Sequence, residues 1–330
     1  MPHVYVSNAV SGDIHVMQWA ETGQLTLVST CVVGAGPGPM WIDTTSERLY
    51  VAKRGEENSL LCLHVDRTHG PLTKLYEVPL TARMCNLSVD RTRKFLIAVS
   101  YHSHNLTVCP LTPTHPPASD HQVMPTLRHP HAAVFSPDNR FVLVPCLGDD
   151  MLMVFRFDES RGQLTLHKQW QARTGSGPRH LCFHPEGQWL YLLNELDASL
   201  DVLAWDATQG SVQAMQSLNT LPAGFTGKPW AADVHVSPDG QFVYTCDRSS
   251  STLAVFKTEA QRGTLTWLAH VPTELQPRSF ALDVDGRHVL VAGQKSNHLG
   301  VFERDAQTGL LTPTQRLQTG EEPGWVACLA

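Results

Sequence analysis

Cationic or titratable residues recur in this chain at a near-constant step. Arg83, His131 and Arg179 are spaced by 131 − 83 = 48 and 179 − 131 = 48, and Arg278 follows after 278 − 179 = 99, two such steps. A second series lies 16 residues further on in the same rhythm: Glu195, Arg248 and Gln294, with Asp247 and Lys295 as immediate neighbours. A guanidinium is a planar fork suited to carboxylate and phosphate, and an ammonium is a compact point charge. An imidazole titrates near neutral pH, and a carboxylate can accept a proton or orient a neighbour. Gathered on one face, these groups would attract a small anionic ligand. His131 and Glu195 are the proton-transfer candidates, with Arg179 and Arg278 beside them. The plainer reading is a set of solvated arginines paired with Asp or Glu, with His131 capping or packing.

The rhythm belongs to an internal repeat. Six polar turns lead into β-rich runs: DTTSERLYVA, SVDRTRKFLIAV, SPDNRFVLVP, HPEGQWLYLL, SPDGQFVYTC and DVDGRHVLVA. They begin at Asp43, Ser88, Ser136, His184, Ser237 and Asp283, so the steps are 45, 48, 48, 53 and 46. A glycine opening a later strand repeats in phase at Gly23, Gly70, Gly162, Gly210, Gly263 and Gly309. The unit after Gly70 lacks it and runs instead into the Pro-rich stretch from Thr112 to His131, read as a long irregular loop or a lid. Each unit reads as four short strands, and a four-stranded unit of roughly 40–50 residues is a propeller blade. The predicted fold is all-β: a seven-bladed β-propeller with four antiparallel strands per blade, occupying residues 1–330 as a single domain. The N-terminus starts in the second to fourth strands of a blade, so the C-terminal PGWVACLA should supply its first strand and remove the open edge.

Counting from the turn markers puts the first series at the start of strand one and the second at the turn between strands two and three. A slip in the second unit would bring Tyr101 or His102 to the same place. His180 follows Arg179 and by strand alternation would face the opposite side. Asp233 and His235 alternate in WAADVHVSPDG; Asp233 stands near the site as an orienting group, and His235 reads as a core histidine. Arg248, Gln294, Lys295, Asp233 and His180 form the expected binding set.

Other chemistries find little support. The pairs His102–His104 and His129–His131 lack the companions a metal site needs, and no metal or cofactor is expected. There is no G-x-S-x-G elbow and no nucleotide-binding glycine motif. Lys+Arg is 25 against 31 Asp+Glu, a balance that argues against a general nucleic-acid binder. No apolar run reaches the ~18–20 residues of a membrane helix, and the N-terminus lacks a secretory pattern. The eight cysteines form no C-x-x-C pair, so reduced thiols in a cytoplasmic protein are expected, with no obligate protein partner.

The segments TGSGPRHLCFHPEGQWLYLLNELDASLDV, KPWAADVHVSPDGQFVYTCDRSSSTLAVF and TELQPRSFALDVDGRHVLVAGQKSNHLGVF, with the closing PGWV, resemble bacterial 6-phosphogluconolactonases of the seven-bladed propeller type. The resemblance covers essentially the whole chain and is looser around residues 110–130. It implies hydrolysis of a small phosphorylated sugar lactone, 6-phospho-D-glucono-1,5-lactone, in the cytoplasm. The family is also similar to the fungal muconate-lactonizing propeller, whose proposed active-site His, two Arg and Glu match His131, Arg179, Arg278 and Glu195. A muconate-type lactonizing enzyme and a non-catalytic propeller scaffold are the alternative readings. For the lactonase, Arg278, Lys295 and Arg248 would hold phosphate or sugar hydroxyls, and Arg179 would stabilise the carbonyl oxygen. His131 assisted by Glu195 would activate water; the swapped assignment, Glu195 as base and His131 as acid, stays open.

Overall fold

The computed structural model describes residues 2–34, 36–43, 45–68, 71–112 and 122–329. Its strands form seven four-stranded antiparallel sheets. In chain order the second to seventh open with Pro37–Asp43, Asn86–Val89, Val134–Phe135, Pro178–Phe183, Ala231–Val236 and Pro277–Leu282. The first sheet combines both ends of the chain: Pro323–Leu329 pairs with His3–Asn8, followed by Asp13–Trp19 and Leu25–Val32. The expected split terminal unit is therefore present. The only helical element among the described residues is a single turn, Leu147–Asp149.

Two compact units divide the chain, one of residues 1–84 with 271–330 and one of residues 85–270. The first holds the first, second and seventh sheets. Within it, Pro323–Leu329 packs against both Pro37–Asp43 and Pro277–Leu282. The second holds the third to sixth sheets, with Pro178–Phe183 packed on Ala231–Val236.

Local composition explains the elements. Second strands such as FVLVPC and FVYTCD are buried along their whole length, as continuous apolar runs should be. Fourth strands such as QLTLHKQWQ are mostly exposed and polar. Cores form between successive sheets of a unit: Val99, Leu106, Val144 and Phe155 join the third and fourth, and Leu200, Val234 and Phe256 join the fifth and sixth. Each such side chain contributes roughly 1.5–3 kcal/mol by burial.

The repeated glycine has a specific physical cause. Gly162, Gly210 and Gly263 all have positive φ, between 58° and 66°. A Cβ at each would strike the ring of Phe95, Phe141 or Trp189, which opens the second strand of the preceding sheet. The position thus requires both a left-handed backbone and no side chain. Gly70 lies outside the described residues.

The stretch read as irregular from Thr112 to His131 is corrected in part. Residues 113–121 lie outside the described residues. Gln122–Pro125, however, is a strand that pairs with Asn105–Val108 and completes the third sheet. QVMP is too short to stand out by periodicity, but an open edge beside Asn105–Pro110 gives it a partner.

Candidate active site

The site is built where first strands begin, and β-bulges build it. In the fifth sheet Pro178 pairs with Asn194 and His180 with Leu193, leaving Arg179 as an extra residue. In the sixth, Ala231 pairs with Asp247 and Val234 with Thr245, so Ala232 and Asp233 share one opposite position. In the fourth, Pro130 bridges to Cys146 and Val134 pairs with Leu143, again one residue in excess, and His131 falls in that gap. Such a bulge kinks the strand and re-aims its side chains.

Re-aiming overturns the expected alternation of Arg179 and His180. Both reach the sixth sheet: Arg179 donates through Nη1 to the Ala232 carbonyl, and the His180 Nδ1 lies 2.8 Å from Asp233 Oδ1. The ring of His180 is also 5.1 Å from that of His131, edge to face.

Glu195 opens the turn after Trp189–Asn194, tied down by its N–H on the Gly177 carbonyl. Its Oε2 accepts from Arg179 Nε at 2.8 Å and from Arg248 Nη2 at 2.7 Å. Arg179 is 1% exposed and Arg248 5%. Arg248 occupies the equivalent turn after Phe242–Asp247. It donates further to the carbonyls of Trp230 and Ala231 and lies 4.0 Å from the centre of the Trp230 ring. Burial, with Arg179 alongside, lowers the Arg248 pKa to about 10, against the opposing pull of Glu195. The cluster is thus a pair of desolvated cations sharing one carboxylate, a charge arrangement that strengthens any interaction with a further anion.

Tyr101 and the histidines extend it. Tyr101 lies edge-on to His131 and stacks on His129 at 4.3 Å. Burial raises its pKa, with the Glu195 charge adding to the effect. The two histidine pairs of the sequence meet through one member of each: the His129 N–H donates to His104 Nδ1, and their rings meet edge to face. Among the described residues no three His, Cys, Asp or Glu side chains gather so as to hold a metal ion.

Asp233 stands between two imidazoles, with Oδ1 on His180 and Oδ2 on His235 Nε2 at 3.3 Å. Burial alone would raise its pKa. His235 and His180 more than offset that and hold it well below the carboxylate range. His235 is not the core residue expected, since its side chain is 38% exposed. None of the eight cysteines is in a disulfide; burial pushes Cys109 and Cys146 up to about 12.

His131, Arg179, His180, Glu195, Asp233 and Arg248 thus all belong to the unit of residues 85–270. Arg278, Gln294 and Lys295 belong to the other unit. There Arg278 is the extra residue of a like bulge, between the pairs Pro277–Gly293 and Ser279–Ala292. Gln294 accepts from Gln276 Nε2 at 3.0 Å, and the exposed Lys295 pairs with Glu322 at 3.2 Å. Arg83 is exposed. Trp230 escaped the sequence reading; its signal was an aromatic residue just before a first strand, in KPWAADV.

A family model described as "Lactonase, 7-bladed beta-propeller" matches residues 3–328. A curated 6-phosphogluconolactonase from Pectobacterium atrosepticum is 39% identical over 329 residues, 99% of this chain and 98% of the relative. One from Serratia proteamaculans is 36% identical over the same shares. A solved structure of a protein from Lactobacillus plantarum aligns with a TM-score of 0.89 and 26% identity, covering both chains fully. The periplasmic gluconolactonase of Pseudomonas aeruginosa aligns at 0.87 and 24% identity, over 100% of this chain and 99% of that one, and shares the fold. No helix among the described residues is long and apolar enough to cross a membrane.

Proposed function

The chain belongs to the seven-bladed β-propeller lactonase family, and from that premise we propose that it hydrolyses 6-phospho-D-glucono-1,5-lactone to 6-phospho-D-gluconate. This is the lactone-opening step of the oxidative pentose phosphate pathway, placed here in the cytoplasm, with residues 1–330 acting as one propeller domain. The observation that carries the reading is the closing of Arg179 and Arg248 on one oxygen of Glu195 beside the imidazoles of His131 and His180.

Ester hydrolysis needs water activation and stabilisation of the oxyanion. Arg179, buried and oriented by Glu195, stabilises the negative charge that grows on the carbonyl oxygen, and Arg248 supports it; removing one such donor typically costs about 10²–10³ in kcat. The Oε2 of Glu195 is already engaged by two guanidinia, which favours Glu195 as their positioner and an imidazole as the proton acceptor. The imidazole takes a proton from water as the new C–O bond forms. It returns that proton to the ring oxygen as the lactone bond breaks. Such general base catalysis contributes about 10²–10⁴-fold. His131 is assigned to the substrate-facing wall.

The test is hydrolysis of freshly generated 6-phosphogluconolactone against its spontaneous rate, with a chelator present. Acceleration that survives the chelator is expected. A rate equal to the spontaneous one would sink the reading.

A further inference from the structure

The imidazoles of His131 and His180 lie beside the guanidinium clamp, and one of them is held by a buried carboxylate. We propose that His180 is the group that takes the proton from water, with Asp233 as its positioning residue. The inference rests on the lactonase reading above and assigns a role that the matched His, Arg and Glu set leaves out.

The geometry is that of an oriented base. The His180 Nδ1 lies 2.8 Å from Asp233 Oδ1. An ionised carboxylate there accepts a hydrogen bond from Nδ1–H, fixes the tautomer and leaves Nε2 as the proton-accepting nitrogen. It also stabilises the imidazolium that forms when Nε2 is protonated. Asp233 is itself fixed: Oδ1 accepts from the Val234 N–H at 3.1 Å, and Oδ2 meets His235. The pair is buried, with side-chain exposures of 8% and 7%, so bulk water neither screens the contact nor competes for it.

The same bulged strands connect this pair to the guanidinium clamp. Arg179 and His180 are consecutive, as are Ala232 and Asp233. Arg179 reaches the Ala232 carbonyl while His180 reaches the Asp233 carboxylate. One rung between two sheets therefore presents the oxyanion-stabilising group and the base together. His131 is presented by the fourth sheet, and its ring faces that of His180.

In the proposed step the water O–H bond breaks and its proton moves to His180 Nε2 while the oxygen adds to the lactone carbonyl. The ring C–O bond then breaks, and the proton passes from Nε2 to the departing ring oxygen, so His180 ends neutral. The titratable and charged groups beside this imidazole are Asp233 on the sixth sheet, with His235 on its other oxygen, His131 before the fourth, and Arg179 preceding it on its own strand.

The decisive experiment measures kcat, KM and the pH profile of kcat/KM for wild type, H180Q and D233N on freshly generated 6-phosphogluconolactone, with circular dichroism as the folding check. Both variants are expected to lose 100-fold or more in kcat at a KM within about threefold of wild type. D233N should also displace the acidic limb of the profile, because Asn can donate to Nδ1 and select the wrong tautomer. A folded variant that keeps kcat within threefold, or loses activity through KM alone, overturns the proposal. Should D233N fail to fold, H180Q decides by the same criterion. A wild-type rate equal to the spontaneous one is a different failure: it removes the lactonase reading itself.

Discussion

Two carboxylates in this protein are each gripped by two cations, and they are built differently. Glu195 receives Arg179 and Arg248 on a single oxygen, from guanidinia buried to within a few per cent. Glu77, in the other unit, receives Lys53 at 2.8 Å on Oε1 and Lys74 at 2.6 Å on Oε2, with Ser59 also on Oε1. Lys74 is 58% exposed. The ammonium pair satisfies Glu77 oxygen by oxygen, Lys74 from the water side and Lys53 from a largely sheltered position, 16% exposed. The guanidinium pair at Glu195 concentrates two desolvated charges on one point, and each fork retains donors directed elsewhere. A structural ion pair needs only the first arrangement. A group meant to receive a developing oxyanion needs the second.

Deleting each carboxylate tests the contrast most severely. E195A should leave two buried guanidinia without their anion, which costs about 3–5 kcal/mol of stability, and abolish measurable catalysis. E77A, which leaves Lys74 in water, should cost less and leave kcat alone. Urea unfolding beside the lactone assay reads both, and equal losses would erase the distinction. Next in size, R179K keeps the charge but not the fork and should lower kcat by about 10²–10³-fold; K74A should not lower it.

Acid separates the two sites more gently. At Glu77 burial would raise the pKa, but Lys53, Lys74 and Ser59 outweigh it and bring it from 4.5 to about 2. A carboxyl depressed on folding adds stability that is complete above the unfolded value and lost as pH falls through the folded one. Wild type and E77Q should therefore differ most above pH 4.5 and converge towards pH 2 in urea midpoints. Parallel curves would mean that the lysine grip adds nothing. The smallest effect belongs to Lys295, exposed and paired with Glu322. The expectation that Lys295 holds the phosphate predicts that K295A raises KM several-fold at constant kcat and stability. A fall in kcat, or an unchanged KM, would overturn that expectation.

The repeat was legible because its causes are local. A glycine forced to positive φ against a ring, a polar turn and a four-residue apolar run all fit inside one window. Their recurrence gave seven sheets and the unit shared between the termini. Register arithmetic also brought His131, Arg179, Glu195 and Arg248 onto one list. It failed where the strands bulge. His180 was expected to turn away from Arg179, yet both reach the sixth sheet, because one surplus residue breaks the alternation. It failed also for Gln122–Pro125, whose strand identity comes from the edge it pairs with.

Sequence by itself therefore determined the number and kind of elements and the chain positions that open onto the ends of the strands. Periodicity and turn chemistry act over a few residues and leave a readable pattern. Tertiary structure alone decided which side chains meet: Glu195 with Arg248 across 53 residues, Arg179 with the Ala232 carbonyl across 53, and Asp233 between His180 and His235. Those partnerships depend on how neighbouring sheets pack and on where a strand carries one residue more than its partner. Neither quantity has a signature in the local pattern of apolar and polar residues.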